Sequence, residues 1–276
     1  MLVGLLMLVG GVVTGAFGSL LGLGGGVLIV PLLTLGFGLP LREAVGVSLI
    51  CVIMTSSAAA GVYLERHVAN MRLGMTLELF TAFGALIGGS IAFLLSDQLL
   101  SFLFATLLLY VAATMARGRG AELEIEPEPD PHAVTVPEPG ARQTALARLS
   151  GEGYRVRRLG FGVIGATGAG ISSALLGIGG GVIKVPLMHL AMGVPLRVAT
   201  ATSNMMIGIT AAASAVIYII HGGIDPYVAG PTAIGVFIGA TVGSRLGHRV
   251  DLRHLQLLFV IVLVYTAAQL LLRVFT

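Results

Sequence analysis

Apolar stretches of roughly twenty residues follow one another along nearly the whole chain, parted by short polar clusters, and that is the length a helix needs to cross a hydrocarbon core of about 30 Å. Membrane strands would instead alternate over segments of about ten residues. Each half is expected to hold a long glycine-interrupted unit (2–38 and 159–192) and then three helices (43–64, 73–95 and 98–116; 198–220, 227–247 and 254–275). The first apolar stretch, Met1 to Leu21, has neither a basic leader nor a cleavage pattern and is expected to remain as a membrane segment. The predicted fold class is an all-α polytopic membrane protein.

The halves read as copies of one unit. A shift of 155 residues lays LGLGGGVLIVPLL (21–33) on LGIGGGVIKVPLM (176–188) with nine identities in thirteen positions. The same ungapped offset pairs Pro40 with Pro195, Arg42 with Arg197, Ser48 with Ser203, Thr55 with Thr210, Tyr63 with Tyr218, Gly84 with Gly239, Gly88 with Gly243 and Tyr110 with Tyr265. Between the copies runs the acidic, proline-rich EIEPEPDPHAVTVPEP, a composition that cannot bury a core. The chain therefore divides into an N-terminal membrane repeat (1–117), a linker (118–157) and a C-terminal membrane repeat (158–276).

A continuous helix over 2–38 would be roughly 55 Å long at 1.5 Å per residue, so the unit must break, tilt or turn back. Counted as one crossing, it gives four spans per half, parallel repeats and loop arginines divided ten against five. Counted as a hairpin, it gives five per half and a division of thirteen against two, with Arg42 and Arg273 alone on the poorer side. Equivalent loops also differ in charge: Arg66 and Arg72 have no arginine opposite them, whereas Asp97 corresponds to a loop with Arg249 and Arg253. The positive-inside rule thus favours inverted repeats, eight to ten segments in all, with the linker cytoplasmic and both termini outside.

Composition narrows the class further. Apolar residues make up 56% and charged residues 11%, against about 25% charged in a soluble domain. The net charge of +3 would suit nucleic acid, but the arginines sit at segment ends, where topology accounts for them, so no nucleic-acid partner is expected. Cys51 is the only cysteine, which leaves no internal disulfide and no cysteine-based metal site. No Walker A pattern, metal cluster or recognised catalytic constellation occurs, so neither an enzyme nor a cofactor is called for.

Candidate chemistry gathers at the glycine runs 24–26 and 179–181. Each glycine costs a helix about 1 kcal/mol relative to alanine, so a break is expected there. A helix resuming after the break would turn unpaired amides and its positive dipole end into the gap, which suits an anion. The expected substrate-binding residues are Gly22, Gly24, Gly25 and Gly26 with Gly177, Gly179, Gly180 and Gly181, on the premise that broken helices at membrane depth line a cavity. Close helix packing is the competing reading, and it is preferred for Gly84, Gly88, Gly235, Gly239, Gly243 and Gly247.

Ser48 and Thr55 share a helix face, and Thr202, Ser203 and Asn204 stand in the counterpart, so their polar groups are candidate anion donors. Bonding to a backbone carbonyl is the alternative role for each hydroxyl. Lys184, the sole lysine, follows the second break where the first half has Ile29. It is a candidate for substrate attraction or proton exchange, with snorkelling to the interface as the alternative. His189 and Glu78 are further candidates for a proton relay, although Glu78 lies within two turns of Arg72 and an interfacial pair would also explain it. Arg42 and Arg197, after the paired prolines, either meet anion at the cavity mouth or anchor a helix start.

The stretches GLGGGVLIVPLL and GIGGGVIKVPLM, followed by PLREAVGVS and PLRVATATSN, resemble the sulfite exporter TauE/SafE family, the TSUP membrane permeases. The match covers both repeats and spares the linker. The resemblance implies a multi-pass protein of the cell inner membrane that moves sulfite, organosulfonates or related sulfur anions, often outward. The expectation is a secondary transporter working by alternating access, with protons as a coupling partner and the lipid bilayer as its surroundings. A passive anion channel and a nontransporting scaffold or sensor are the alternatives. Substrate identity, direction, coupling ion and oligomeric state are not contained in the motif.

Overall fold

The architecture comes from a computed structural model that describes residues 2–20, 25–65, 69–117, 149–150, 154, 156–246 and 252–275. The described residues form ten helices. The first half holds α1 (Leu2–Leu20), α2 (Gly26–Pro31, continuing as a π turn over Leu32–Gly36), α3 (Leu41–Glu65), α4 (Met71–Leu94) and α5 (Asp97–Arg117). The second holds α6 (Leu159–Leu176), α7 (Gly181–Pro186, with a π turn over Leu187–Ala191), α8 (Leu196–Ile220), α9 (Pro226–Leu246) and α10 (Leu252–Phe275). Seven of these helices are long and apolar enough to cross a membrane. The element order recurs at the offset of the sequence repeat, and the boundaries of α2, its π turn and α3 recur in α7, its π turn and α8 residue for residue.

Each glycine break reverses the chain. A methyl on Gly10 would meet Leu32, and one on Gly18 would collide with the backbone of Gly25, so α1 and α2 lie antiparallel. Gly165 meets Leu187 and Gly162 meets Met192 in the same way, which folds α7 back along α6. Each glycine-rich unit thus turns back on itself and does not run on as one helix. The π turns begin directly after Pro31 and Pro186, whose rings remove an amide donor and crowd the preceding carbonyl. Gly38 and Gly193, both at positive φ, then let the chain leave for α3 and α8.

Packing couples the two halves. Helix α1 packs on α9, α6 on α4, α5 on α10, and α3 on α8, and α4 also touches α8 as α9 touches α3. Exchanging each helix for its counterpart five places on maps this set of pairs onto itself. Both glycine-lined contacts run parallel: Leu8, Val12 and Ala16 of α1 lie against Gly235, Gly239 and Gly243 of α9, and Gly84 and Gly88 of α4 lie against Thr167 and Ile171 of α6. A methyl at any of these glycines would strike the facing backbone, so packing is the role of Gly84, Gly88, Gly235, Gly239 and Gly243. Gly247 lies outside the described residues.

Between the halves, the linker expected over 118–157 lies almost wholly outside the described residues. Its far end is tied down: the Asn70 amide donates to Leu149 O at 2.9 Å and to the Tyr154 hydroxyl at 2.6 Å, while Asn70 Oδ1 caps α4 by accepting from Leu73 N.

Candidate functional site

The two glycine breaks meet in the middle of the molecule. Ser48 Oγ of α3 donates to Gly177 O at 2.7 Å and lies 3.2 Å from Gly26 O, so one hydroxyl braces both breaks. Gly25 abuts Thr55, fifteenth in the 25-residue α3, while Gly181 abuts Ser203 and Ile207, near the middle of the equally long α8. Gly25 and Gly180 hold φ of 73° and 75°, a left-handed backbone that costs other residues roughly 1–2 kcal/mol.

Around the second break stands a buried ionic cluster. Lys184 is 1% exposed, and its Nζ lies 3.1 Å from Glu78 Oε2 of α4. The same ammonium donates to Thr210 Oγ1 of α8 at 2.5 Å, and the Thr210 hydroxyl donates to Glu78 Oε1 at 2.6 Å, closing a three-membered ring. Met206 O, 3.2 Å from Thr210 Oγ1, is a second acceptor for that hydroxyl. An ion pair removed from water persists only where hydrogen bonds satisfy the charges, and Thr210 serves both partners.

Two hydroxyls beside this cluster have no hydrogen-bond partner although they are fully buried: Ser173 Oγ and Ser203 Oγ. A Cβ built on Gly180 would stand 3.3 Å from Ser173 Cβ and 3.5 Å from Lys184 Cε, and one on Gly181 would stand 3.7 Å from Ser203 Oγ. The lysine stem and both serines thus border one pair of glycines. A buried hydroxyl left unbonded costs about 1–3 kcal/mol, so neither serine braces the fold through its hydroxyl.

The remaining candidates fall elsewhere. Gly22 and Gly24 lie outside the described residues. Thr202 Oγ1 accepts from Asn70 N at 2.9 Å and so holds the start of α4. Thr55 hydrogen-bonds Val52 O at 3.0 Å, within its own helix. Asn204 is buried, and its carbonyl accepts from Ser56 Oγ at 2.7 Å, while Ser56 in turn accepts from Gly208 N at 3.0 Å. His189 Nδ1 lies 2.9 Å from Val194 O, at the end of its π turn. Glu78 pairs with Lys184 and not with Arg72, which is exposed, and Lys184 does not snorkel.

Arg42 anchors its end of α3. Its Nη2 meets Asp97 at 2.9 Å and Leu95 O at 2.8 Å, and its guanidinium lies over the Phe93 ring. An open depression of about 240 Å³ beside it is lined by Thr34, Gly38, Pro40, Asp97 and Ser101. The side chain of Arg197 is outside the description. Among the described residues no three His, Cys, Asp or Glu come together to hold a metal.

A multi-pass helical bundle with broken helices and a buried ion pair has the architecture of a membrane transporter. The family described as Sulfite exporter TauE/SafE matches residues 7–270. The chain belongs to that family. It is 25% identical to the Probable membrane transporter protein YunE of Bacillus subtilis (strain 168), over 96% of each chain. It is 28% identical to a Probable membrane transporter protein of Xylella fastidiosa (strain 9a5c), over 87% of this chain and 83% of the relative. A relative of the same description from Methanocaldococcus jannaschii is 25% identical over 92% of this chain and 90% of its own. No solved structure gives a significant match.

Ser173 was not legible as a site residue because Gly18 stands at its counterpart, so the repeat carries no signal there. Thr210 was visible as the partner of Thr55, but nothing local links it to Glu78, 132 residues away. Its spacing of seven from Ser203, on one helix face, was the available clue.

Proposed function

We propose that this membrane transporter is a secondary exporter of small sulfur-containing anions, such as sulfite or an organosulfonate, across the cytoplasmic membrane by alternating access with proton coupling. The bound anion sits at the second glycine break, against the Lys184 ammonium and the Ser173 and Ser203 hydroxyls. The observation that carries this reading is the pair of unspent, buried hydroxyls flanking the same two glycines as the only lysine. The sulfur-anion class rests on family membership.

Alternating access needs two units that rock against each other, and inverted repeats supply them. Supporting that arrangement, each glycine-rich unit turns back on itself, which gives each half an odd number of passes, and α1 runs parallel to α9 as α4 does to α6. Successive antiparallel helices then place α1 and its counterpart α6 in opposite senses. With the arginine-rich loops inside, both termini face outward.

The test is uptake and efflux of sulfite, sulfate and a small organosulfonate in proteoliposomes, with and without a pH gradient. Wild type should carry sulfite or the sulfonate in saturable fashion and respond to the gradient, and Gly180→Leu should abolish the flux while remaining folded. Linear, non-saturating flux would point to a channel, and absence of flux for every anion would remove the sulfur-anion reading.

A further inference from the structure

Resting on the anion site just described, the cluster suggests how binding is coupled to protons. We infer that Glu78 is a resident counter-ion that the incoming anion displaces from Lys184, and that Glu78 takes up one proton from water as the anion binds.

Charge balance within the cluster leads there. The chain has one lysine, it is buried at the break, and its only ionic partner among the described residues is Glu78. A monoanion bound by Lys184 would stand beside a carboxylate in a setting from which water is excluded. Two like charges a few ångströms apart at low dielectric repel strongly, so one must be neutralised. Protonating Glu78 does that and keeps the site's net charge at zero with anion and proton both aboard.

Thr210 is built to accept the change. In the structure its hydroxyl donates to Glu78 Oε1 and receives the Lys184 ammonium. Once Glu78 is a carboxylic acid, its O–H donates to Thr210 Oγ1, and the Thr210 proton turns to Met206 O, already 3.2 Å away. Lys184, released, moves its stem alongside Gly180, where an added Cβ would touch Lys184 Cε at 3.5 Å. One hydroxyl reversal thus converts the counter-ion state into the substrate state with the new Glu78 proton and the Thr210 hydroxyl both bonded.

Among the described residues no other titratable group on the surrounding elements bonds to Lys184. Helix α4 adds only Arg72, which is exposed, and α6 has no charged residue. The α7 segment adds His189, bonded at Val194 O, and α8 adds Arg197 at its start and Tyr218, whose hydroxyl donates to Ala174 O. Helix α3 contributes the buried Cys51 thiol, with Arg42, Glu43, Tyr63 and Glu65 toward its ends.

The experiment uses methanesulfonate, which stays fully ionised at working pH, so any proton taken up is the protein's. Full-length purified protein in weak buffer is mixed with methanesulfonate, and proton uptake is read with an indicator alongside calorimetric binding. Wild type should take up close to one proton per anion, with affinity falling about tenfold per pH unit on the alkaline side. Glu78→Gln should bind without proton uptake, more tightly than wild type at alkaline pH, and with no pH dependence. Wild-type binding without proton uptake would overturn the inference and leave the anion site standing, a result that does not depend on any variant folding. Failure of both methanesulfonate and sulfite to bind wild type would overturn the site, and the inference with it.

Discussion

The place where α4 meets α6, α8 and Lys184 of α7 and the place where α9 meets α1 and α3 are built from equivalent helices, yet only the first holds a buried ion pair among the described residues. Where one has Glu78, Lys184 and Thr210, the other has Ala233, Ile29 and Thr55 at the same offset. All six are buried. Ser173, beside Gly180, corresponds to Gly18, which is pressed against the backbone of Gly25 and has no room for a side chain. Ser203 has an unspent hydroxyl, whereas its counterpart Ser48 spends its own on the carbonyls of both breaks. The backbone is therefore duplicated and the chemistry is not: the first break is a packed brace, and the second has two unbonded hydroxyls beside a buried Lys184–Glu78 pair.

That contrast can be broken most forcefully at Lys184. Lys184→Ala strands Glu78 as a buried, unpaired carboxylate, so stability should fall by about 3–5 kcal/mol and anion flux should disappear. Adding Glu78→Gln should restore most of the stability in a thermal melt without restoring flux. Next in size is a matched pair of backbone substitutions. Gly25→Ala and Gly180→Ala meet the same left-handed strain, and each should cost about 1–2 kcal/mol. Only Gly180→Ala, beside the lysine stem, should also reduce sulfite flux by about tenfold or more, the effect of roughly 1.4 kcal/mol at the site.

The serines separate stability from binding. Ser48→Ala removes hydroxyl bonds to buried carbonyls and should destabilise by about 1 kcal/mol, while Ser203→Ala removes a hydroxyl that bonds nothing and should leave the melting temperature unchanged or slightly higher. In flux assays Ser203→Ala should raise the half-saturating anion concentration about fivefold, the effect of one lost hydrogen bond of about 1 kcal/mol. The smallest effect on flux belongs to Ile29→Val, which should cost about 0.5–1.5 kcal/mol of packing and leave flux kinetics as they were.

The helices and the breaks were legible in the sequence because lipid demands long apolar stretches and because nine identities in thirteen aligned positions exposed the sequence repeat. Helix limits agreed to within a few residues, since polar clusters and the paired prolines punctuate the chain. Where the unit turned back was readable only indirectly, through arginine counts. In the site, Lys184 stood out as a lone charge at membrane depth, but its partner did not. Glu78 is 106 residues away, nearer in sequence to Arg72, and the opposite half has alanine at that position, so neither proximity nor the repeat pointed to it. Hydroxyls were harder still, because Ser48 and Ser203 are equivalent by sequence and differ only in what their protons reach.

The most direct measurement is the concentration dependence of radiolabelled sulfite flux in proteoliposomes containing wild type, the charge-free variant Glu78→Gln with Lys184→Met, or the mirror variant Ile29→Val with Ala233→Gly. With all three confirmed as folded by their melting temperatures, the charge-free protein should show no saturable flux and the mirror variant should keep near wild-type kinetics. Saturable sulfite flux through the charge-free protein, undiminished from wild type, would contradict the placement of the anion at the second break.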